Sequence, residues 1–221
     1  LPDALPISRV GARSPAPGCR HVATVPDHAR TIPAAGVAMA RPRVACRASA
    51  RHAGLVHIYL LRHGIAEDGG PRLADHDRAL TDEGWKRLRK AAPIWQSLVP
   101  TPAVVLVSPL RRALQTAEVF VEAVGYRGEL RVADALVPSG APTVALSMLE
   151  AEALSQTASI AVIGHEPHLG YLLGALLTGH PRYAVPLKKG MLVAVETASA
   201  ATMVGELRFA LSQKVAGALA D

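Results

Sequence analysis

The sequence predicts an α/β domain, a three-layer sandwich with helices on both faces of a mostly parallel central sheet. Three observations carry this. LVHIYLL, AVVLV and SIAVIG are short apolar runs rich in β-branched residues, the pattern of strands buried on both faces. Segments with helical apolar spacing separate them. Strands that alternate with helices pack as layers around a parallel sheet.

Each element has its own signal. LVHIYLL ends at Arg62, and Thr81 then offers a helix N-cap, with Asp82 and Glu83 in the first turn where the helix dipole favours them. Trp85, Leu88, Ala92 and Trp95 follow at helical spacing, and Pro93 is expected to kink or end that helix. The second strand spans 103–107. Leu114, Ala117, Val121 and Val124 mark one face of a helix that Gly125 ends. Residues 130–137 read as a short strand, 142–154 as a helix, 159–164 as the third buried strand and 167–178 as another helix. MLVAVET and the stretch from Met203 to Leu211 read as two late, antiparallel strands joined by ASAA.

The charge is unevenly distributed. Residues 1–54 hold eight arginines against Asp3 and Asp27, and so carry the whole net charge of +6. Residues 55–221 hold 16 basic and 16 acidic groups. That balance argues against a nucleic-acid partner, which needs a basic surface on the folded domain. The leader has seven prolines and no sustained periodicity, so residues 1–54 are expected to be disordered or a wrongly extended reading frame, with the domain at 55–221. Both cysteines, Cys19 and Cys46, lie in the leader, which leaves the domain neither a disulfide nor a thiolate metal site. No apolar run has the length of a membrane span, and a cytoplasmic protein without membrane contact is expected.

Three strand ends carry the chemistry. The first runs into Arg62, His63 and Gly64, the second into Ser108-Pro109-Leu110-Arg111-Arg112, and the third into Gly164-His165-Glu166-Pro167. In open α/β sheets ligands bind beyond the carboxyl ends of strands, so two histidines and up to three arginines are expected on one rim. This equipment suits a phosphate. Arginine donates bidentate hydrogen bonds to phosphoryl oxygens, and Gly64 lets the chain turn closely beside the bound group. A neutral His63 can attack phosphorus, and nearby guanidinium charges favour the neutral form. The scheme needs neither metal nor cofactor.

LLRHGIAED, LTDEG, VSPLRRALQTAE, VIGHEPHLGYLLGALLTG and PLKKGMLVAVE together resemble the histidine phosphatase superfamily, the phosphoglycerate mutase-like fold, over residues 56–211. The chain is most similar to the small SixA-type phosphohistidine phosphatases. The resemblance implies His63 as the nucleophile, Arg62 and Arg112 as phosphate-binding arginines, and His165 as the second active-site histidine. It also implies a phosphate contact for Arg78, although Ala79 replaces the proline usual after that arginine. A monomer is expected. Larger members carry an acidic proton donor in the segment before the third helix. Here that segment reads ALVPSGAPT, and no Asp or Glu lies between Leu136 and Leu149. The departure favours N–P over O–P substrates, because a leaving imidazole needs less help from an acid than an alkoxide. Glu67, Asp68 and Glu166 are the acids expected within reach.

The remaining candidates have ordinary explanations. Arg111 and the Lys188–Lys189 pair are expected at the surface, His57 in a strand, His76 in a solvated loop, His168 in a helix and His180 in a turn. Trp85 and Trp95 are expected to anchor the core. The predicted function is a metal-independent phosphatase acting through phospho-His63. Its substrate is a phosphohistidine-bearing protein or a small phosphorylated metabolite, with a catalytically weak phosphate-binding protein as the non-enzymatic alternative.

Overall fold

A computed structural model describes residues 7–9, 55–155, 157–183 and 185–220. Among the described residues seven strands form one sheet in the order β1-β4-β3-β5-β2-β6-β7. They are β1 (Ile7–Arg9), β2 (Val56–Arg62), β3 (Val104–Val107), β4 (Leu130–Val132), β5 (Ser159–Gly164), β6 (Leu192–Thr197) and β7 (Glu206–Leu211). The first five in that order run parallel, and β6 and β7 close the far edge antiparallel. The predicted fold class and the antiparallel pairing of the last two strands are both present. Of the leader, Ile7–Arg9 lies beside β4, with Ser8 opposite Arg131. Residues 10–54 lie outside the described residues.

The helices are α1 (Asp82–Leu98), α2 (Arg111–Val124), α3 (Pro142–Leu154), α4 (His168–Thr178) and α5 (Gln213–Leu219). Alternation along β2 divides the core. Tyr59 and Leu61 join α1, α2 and α5 around Leu88, Trp95, Ala117 and Phe120. Val56, Ile58 and Leu60 join α3 and α4 around Leu149, Leu169 and Leu173. These are the three layers, and each face of the sheet buries its own apolar cluster. Among the described residues no helix is long and apolar enough to cross a membrane.

Four local expectations change. Helix α1 does not end at Pro93 but continues to Leu98, because Trp95 is fully buried beyond the proline and Val99 caps the end by donating its N–H to the Trp95 carbonyl. Packing there outweighs the helix hydrogen bond that proline cannot donate. The strand expected at 130–137 stops at Val132, and Asp134–Leu136 forms a 3-10 turn. The last strand begins at Glu206 rather than near Met203, whose φ of 51° belongs to the turn while its side chain is fully buried. Helix α5 has no counterpart in the sequence reading. It is short and contains Gly217, and Ser212 caps it by accepting from the Val215 N–H.

Candidate active site

The carboxyl ends of β2, β3 and β5 converge because the three strands are neighbours. The His63 N–H donates to the Gly164 carbonyl at 3.0 Å, and the Ser108 N–H to the Ile163 carbonyl at 3.0 Å, so the ladder continues into the site. His63 and His165 therefore stand side by side, with ring centroids 4.9 Å apart and planes tilted by 49°. Both are buried, 6% and 1% exposed, as are Ser108 and Arg112.

Each histidine is held by one ring nitrogen. His63 Nδ1 lies 2.8 Å from the Gly64 carbonyl oxygen and can only donate to it. This sets the neutral tautomer with the proton on Nδ1 and leaves the Nε2 lone pair for attack on an electrophile. His165 uses the opposite atom. Its Nε2 lies 2.7 Å from Ser108 Oγ, and its Nδ1 is buried without a partner among the described residues. Burial is the largest force on both rings. It lowers the His63 pKa to about 3 against the opposing Gly64 hydrogen bond, with the charges of Arg112, Arg62 and Lys189 adding to the depression. His165 falls to about 2, from burial first and then from His63 and Arg112. Both imidazoles are neutral at physiological pH.

The two arginines come from different elements. Arg62 ends β2 and donates Nη1 to the Leu187 carbonyl at 2.6 Å. Arg112 lies in the first turn of α2 and donates Nη1 to the Asp75 carbonyl at 2.6 Å and Nη2 to Asp75 Oδ2 at 3.0 Å. The Nε atoms of both are buried without a partner among the described residues. Burial disfavours the Arg62 charge, Glu166 and Tyr183 support it, and Arg112 opposes it. A half-buried and a buried guanidinium that repel each other, beside two neutral imidazoles, form an anion-binding cradle.

Packing asks for a glycine at position 64. A Cβ there would stand 2.7 Å from Leu88 Cδ1 and 3.2 Å from Leu80 Cδ2, so α1 packs where the side chain would be. Its N–H donates to Thr116 Oγ1 at 3.1 Å, and Thr116 in turn donates to the Arg112 carbonyl at 2.7 Å. Thr116 thus ties the residue after His63 to the helix that carries Arg112. Arg78 donates Nη1 to Asp75 Oδ1 at 2.8 Å and Nε to the Glu67 carbonyl at 2.6 Å. The structure brings Arg78 to Asp75, and through it to Arg112.

Among the expected acids, Glu166 accepts from the Leu187 N–H at 2.9 Å and from the Tyr183 hydroxyl at 2.8 Å. Glu67 accepts from the Ala79 N–H at 2.9 Å. The sequence reading missed Asp75, Ser108 and Thr116 as side chains that shape the site. For two of them a signal was present, since Ser108 opens the SPLRRALQT motif and Thr116 closes it. Of the other residues, Arg111 is exposed as expected, and His57 lies 3.4 Å from Glu196. His76 pairs with Asp77 at the surface, and His168 is 1% exposed. Trp95 is a core anchor, and Trp85 is half-buried with the Arg89 guanidinium 5.1 Å above its ring.

Comparison with known proteins agrees with this geometry. Residues 58–137 match the model of the histidine phosphatase superfamily, branch 1. An uncharacterized protein of Picosynechococcus sp. is 32% identical over 145 residues, covering 66% of this chain and 87% of that protein. The phosphohistidine phosphatase SixA of Escherichia coli is 31% identical over 124 residues, covering 56% and 76%. The solved structure of the protein histidine phosphatase SixA with tungstate superposes with a TM-score of 0.65 at 26% identity, over 72% of this chain and 98% of that one. A mycobacterial glucosyl-3-phosphoglycerate phosphatase shares the fold at a TM-score of 0.53 and 16% identity, over 70% and 97%. A rim of two neutral histidines and two arginines, one buried and one half-buried, on a sheet shared with these relatives, makes the chain a phosphatase of the histidine phosphatase superfamily, in its SixA-type branch.

Proposed function

We propose that this phosphatase removes the phosphoryl group from phosphohistidine on a cytoplasmic protein partner, with His63 as the transient acceptor. The observation that carries the reading is the wall after β4. The 3-10 turn Asp134–Leu136 leads into Val137–Ala141, which offers the site no carboxylate, and the first acid of α3 is Glu150. An alkoxide leaving group needs a proton delivered as the P–O bond breaks. A phosphoimidazole can take a proton from solvent on its other ring nitrogen and leave as neutral imidazole. The likeness to SixA supports the same substrate class.

In the first step His63 Nε2 donates its lone pair to phosphorus while the substrate's N–P bond breaks and its electrons return to the departing imidazole. Arg62, Arg112 and His165 hold the equatorial oxygens, where charge is spread during in-line transfer. Because Arg112 and His165 are already buried and both arginines are held by backbone carbonyls, little reorganisation accompanies the step. In the second step water attacks phosphorus and the bond to His63 Nε2 breaks. The water's proton passes to solvent, and phosphate leaves. Arg78 serves this site through Asp75.

The test is phosphate release by the full chain, with chelator present, from a phosphohistidine-bearing phosphotransfer domain and from an aryl phosphate ester. Turnover of the phosphoprotein well above that of the ester, lost in His63→Ala, is the expected result. Activity on the ester alone would move the substrate to a small phosphorylated metabolite. Full activity in His63→Ala would remove the nucleophile assignment.

A further inference from the structure

The carboxylate that stands nearest the cradle comes from the loop before α1 rather than from the wall after β4. Asp75 opens the 3-10 turn Asp75–Asp77 and is 57% exposed, yet it meets the side chain of Arg112, which is 4% exposed. It holds that guanidinium at two points, by its backbone carbonyl at 2.6 Å and by Oδ2 at 3.0 Å. Its other oxygen, Oδ1, accepts from Arg78 Nη1 at 2.8 Å, and Arg78 is anchored in turn to the Glu67 carbonyl. A chain of four residues, Glu67, Arg78, Asp75 and Arg112, therefore runs from the loop surface into the cradle. His165 also feels the Asp75 charge.

We propose that Asp75 is a positioning residue for phosphoryl transfer, which fixes the plane and depth of the Arg112 guanidinium so that its buried Nε is presented to a phosphoryl oxygen. Three features favour this role. One of the two Arg112 contacts is to the backbone, so an incoming phosphate cannot displace it without moving the turn. The carboxylate is pinned from behind by Arg78, so it does not swing freely. Asp75 is also held ionised: burial works against its charge, but the hydrogen bonds and charges of Arg78 and Arg112 outweigh burial and lower its pKa. It is an acceptor at neutral pH and not a proton donor. A free arginine side chain would have to be ordered when phosphate binds. One already held by two bonds is ordered beforehand.

The competing role is an internal phosphate mimic that occupies the arginine fork and must leave it. The two roles predict opposite signs. Inorganic phosphate is the probe, with its affinity for the full chain measured by calorimetry in a His63→Ala background, where the result does not depend on turnover or on which substrate is correct. In that background Asp75→Ala is expected to weaken phosphate binding about tenfold or more. Asp75→Asn is expected to retain most of the affinity, because its amide oxygen still accepts from Arg112 Nη2. With His63 restored, Asp75→Ala should raise KM and lower kcat while the shape of the pH profile stays that of the parent. Tighter phosphate binding in Asp75→Ala would overturn the proposal in favour of the mimic, and unchanged binding would overturn it outright. Equal losses in the alanine and asparagine variants with a displaced pH profile would also overturn it, by making Asp75 a proton-transfer group. If Asp75→Ala does not fold, the asparagine variant decides the same question by binding within about threefold of the parent or far outside it.

Discussion

The rim of strand ends and a second wall, the loops that carry Asp75, Arg78, Glu166 and Tyr183 and distinct from the segment after β4, are built on different physical terms. At the rim, His63, Ser108, Arg112 and His165 are each less than a tenth exposed and are fixed by strand ladders or by the start of α2. In the wall, Asp75 and Tyr183 are about half exposed and Arg78 partly so, and they are held by bonds among loop residues such as Asp75–Arg78 and Glu166–Tyr183. Water is excluded from the first region and reaches the second. At the rim, burial therefore strengthens every electrostatic term and keeps two imidazoles neutral. In the wall, individual contacts are screened and of small energy unless they reach inward. On the proposed reading, chemistry belongs to the rim and its orientation to the wall.

Substitutions can break this division. The largest effect is expected from Arg112→Lys, which keeps the charge but loses the fork: kcat/KM should fall on the order of 10²-fold with little change in secondary structure by circular dichroism. A fall of less than threefold would mean that a point charge suffices at the rim. Ser108→Ala should come next. It leaves His165 Nε2 buried without its partner, which destabilises the fold by about 1–3 kcal/mol and releases the ring from its orientation, so both Tm and kcat/KM should drop.

A third test uses pH. The folded-state pKa values of His63 and His165, about 3 and about 2, lie below the unfolded value of 6.5. The unfolded chain therefore binds more protons between these limits. Their contribution to stability is complete above about pH 6.5 and is lost as pH falls through the window towards 3, with a slope of up to about 1.4 kcal/mol per pH unit for each ring. Chemical denaturation at a series of pH values should show this slope, and His63→Ala should reduce it. For the same reason kcat/KM should have no acid limb near 6.5 that belongs to the nucleophile. A limb there would place His63 in water. The smallest effect is expected from Tyr183→Phe in the wall, which removes one exposed hydrogen bond to Glu166 and should leave kcat/KM within about threefold. A loss there as large as that of Arg112→Lys would erase the distinction between the two regions.

Much of the site was legible because strand ends are legible. Continuous apolar runs marked β2, β3 and β5, and the residues directly after each run were bound to meet once those strands became neighbours. Asp75 was not legible in this way. It sits in a loop flanked by His76 and Asp77, which are solvated, and nothing in the local pattern separates the inward acid from its outward neighbour. The continuation of α1 past Pro93 was hidden for a related reason. The proline's cost is local and visible, whereas the burial of Trp95 that outweighs it comes from Phe120 and the rest of the packed layer.

The sequence by itself determined the layered α/β class, because continuous apolar runs, a helical period and their alternation are properties of the chain alone. It also set which residue types stand at the strand ends. Tertiary structure decided which ring nitrogen of each histidine is free, why residue 64 must lack a Cβ, and which carboxylate holds Arg112. Apart from the bond between the neighbours His63 and Gly64, each of these depends on atoms brought together from distant parts of the chain. Hydrogen bonds and steric exclusion act over a few ångströms, so their outcome appears only when the packed layers have placed those atoms.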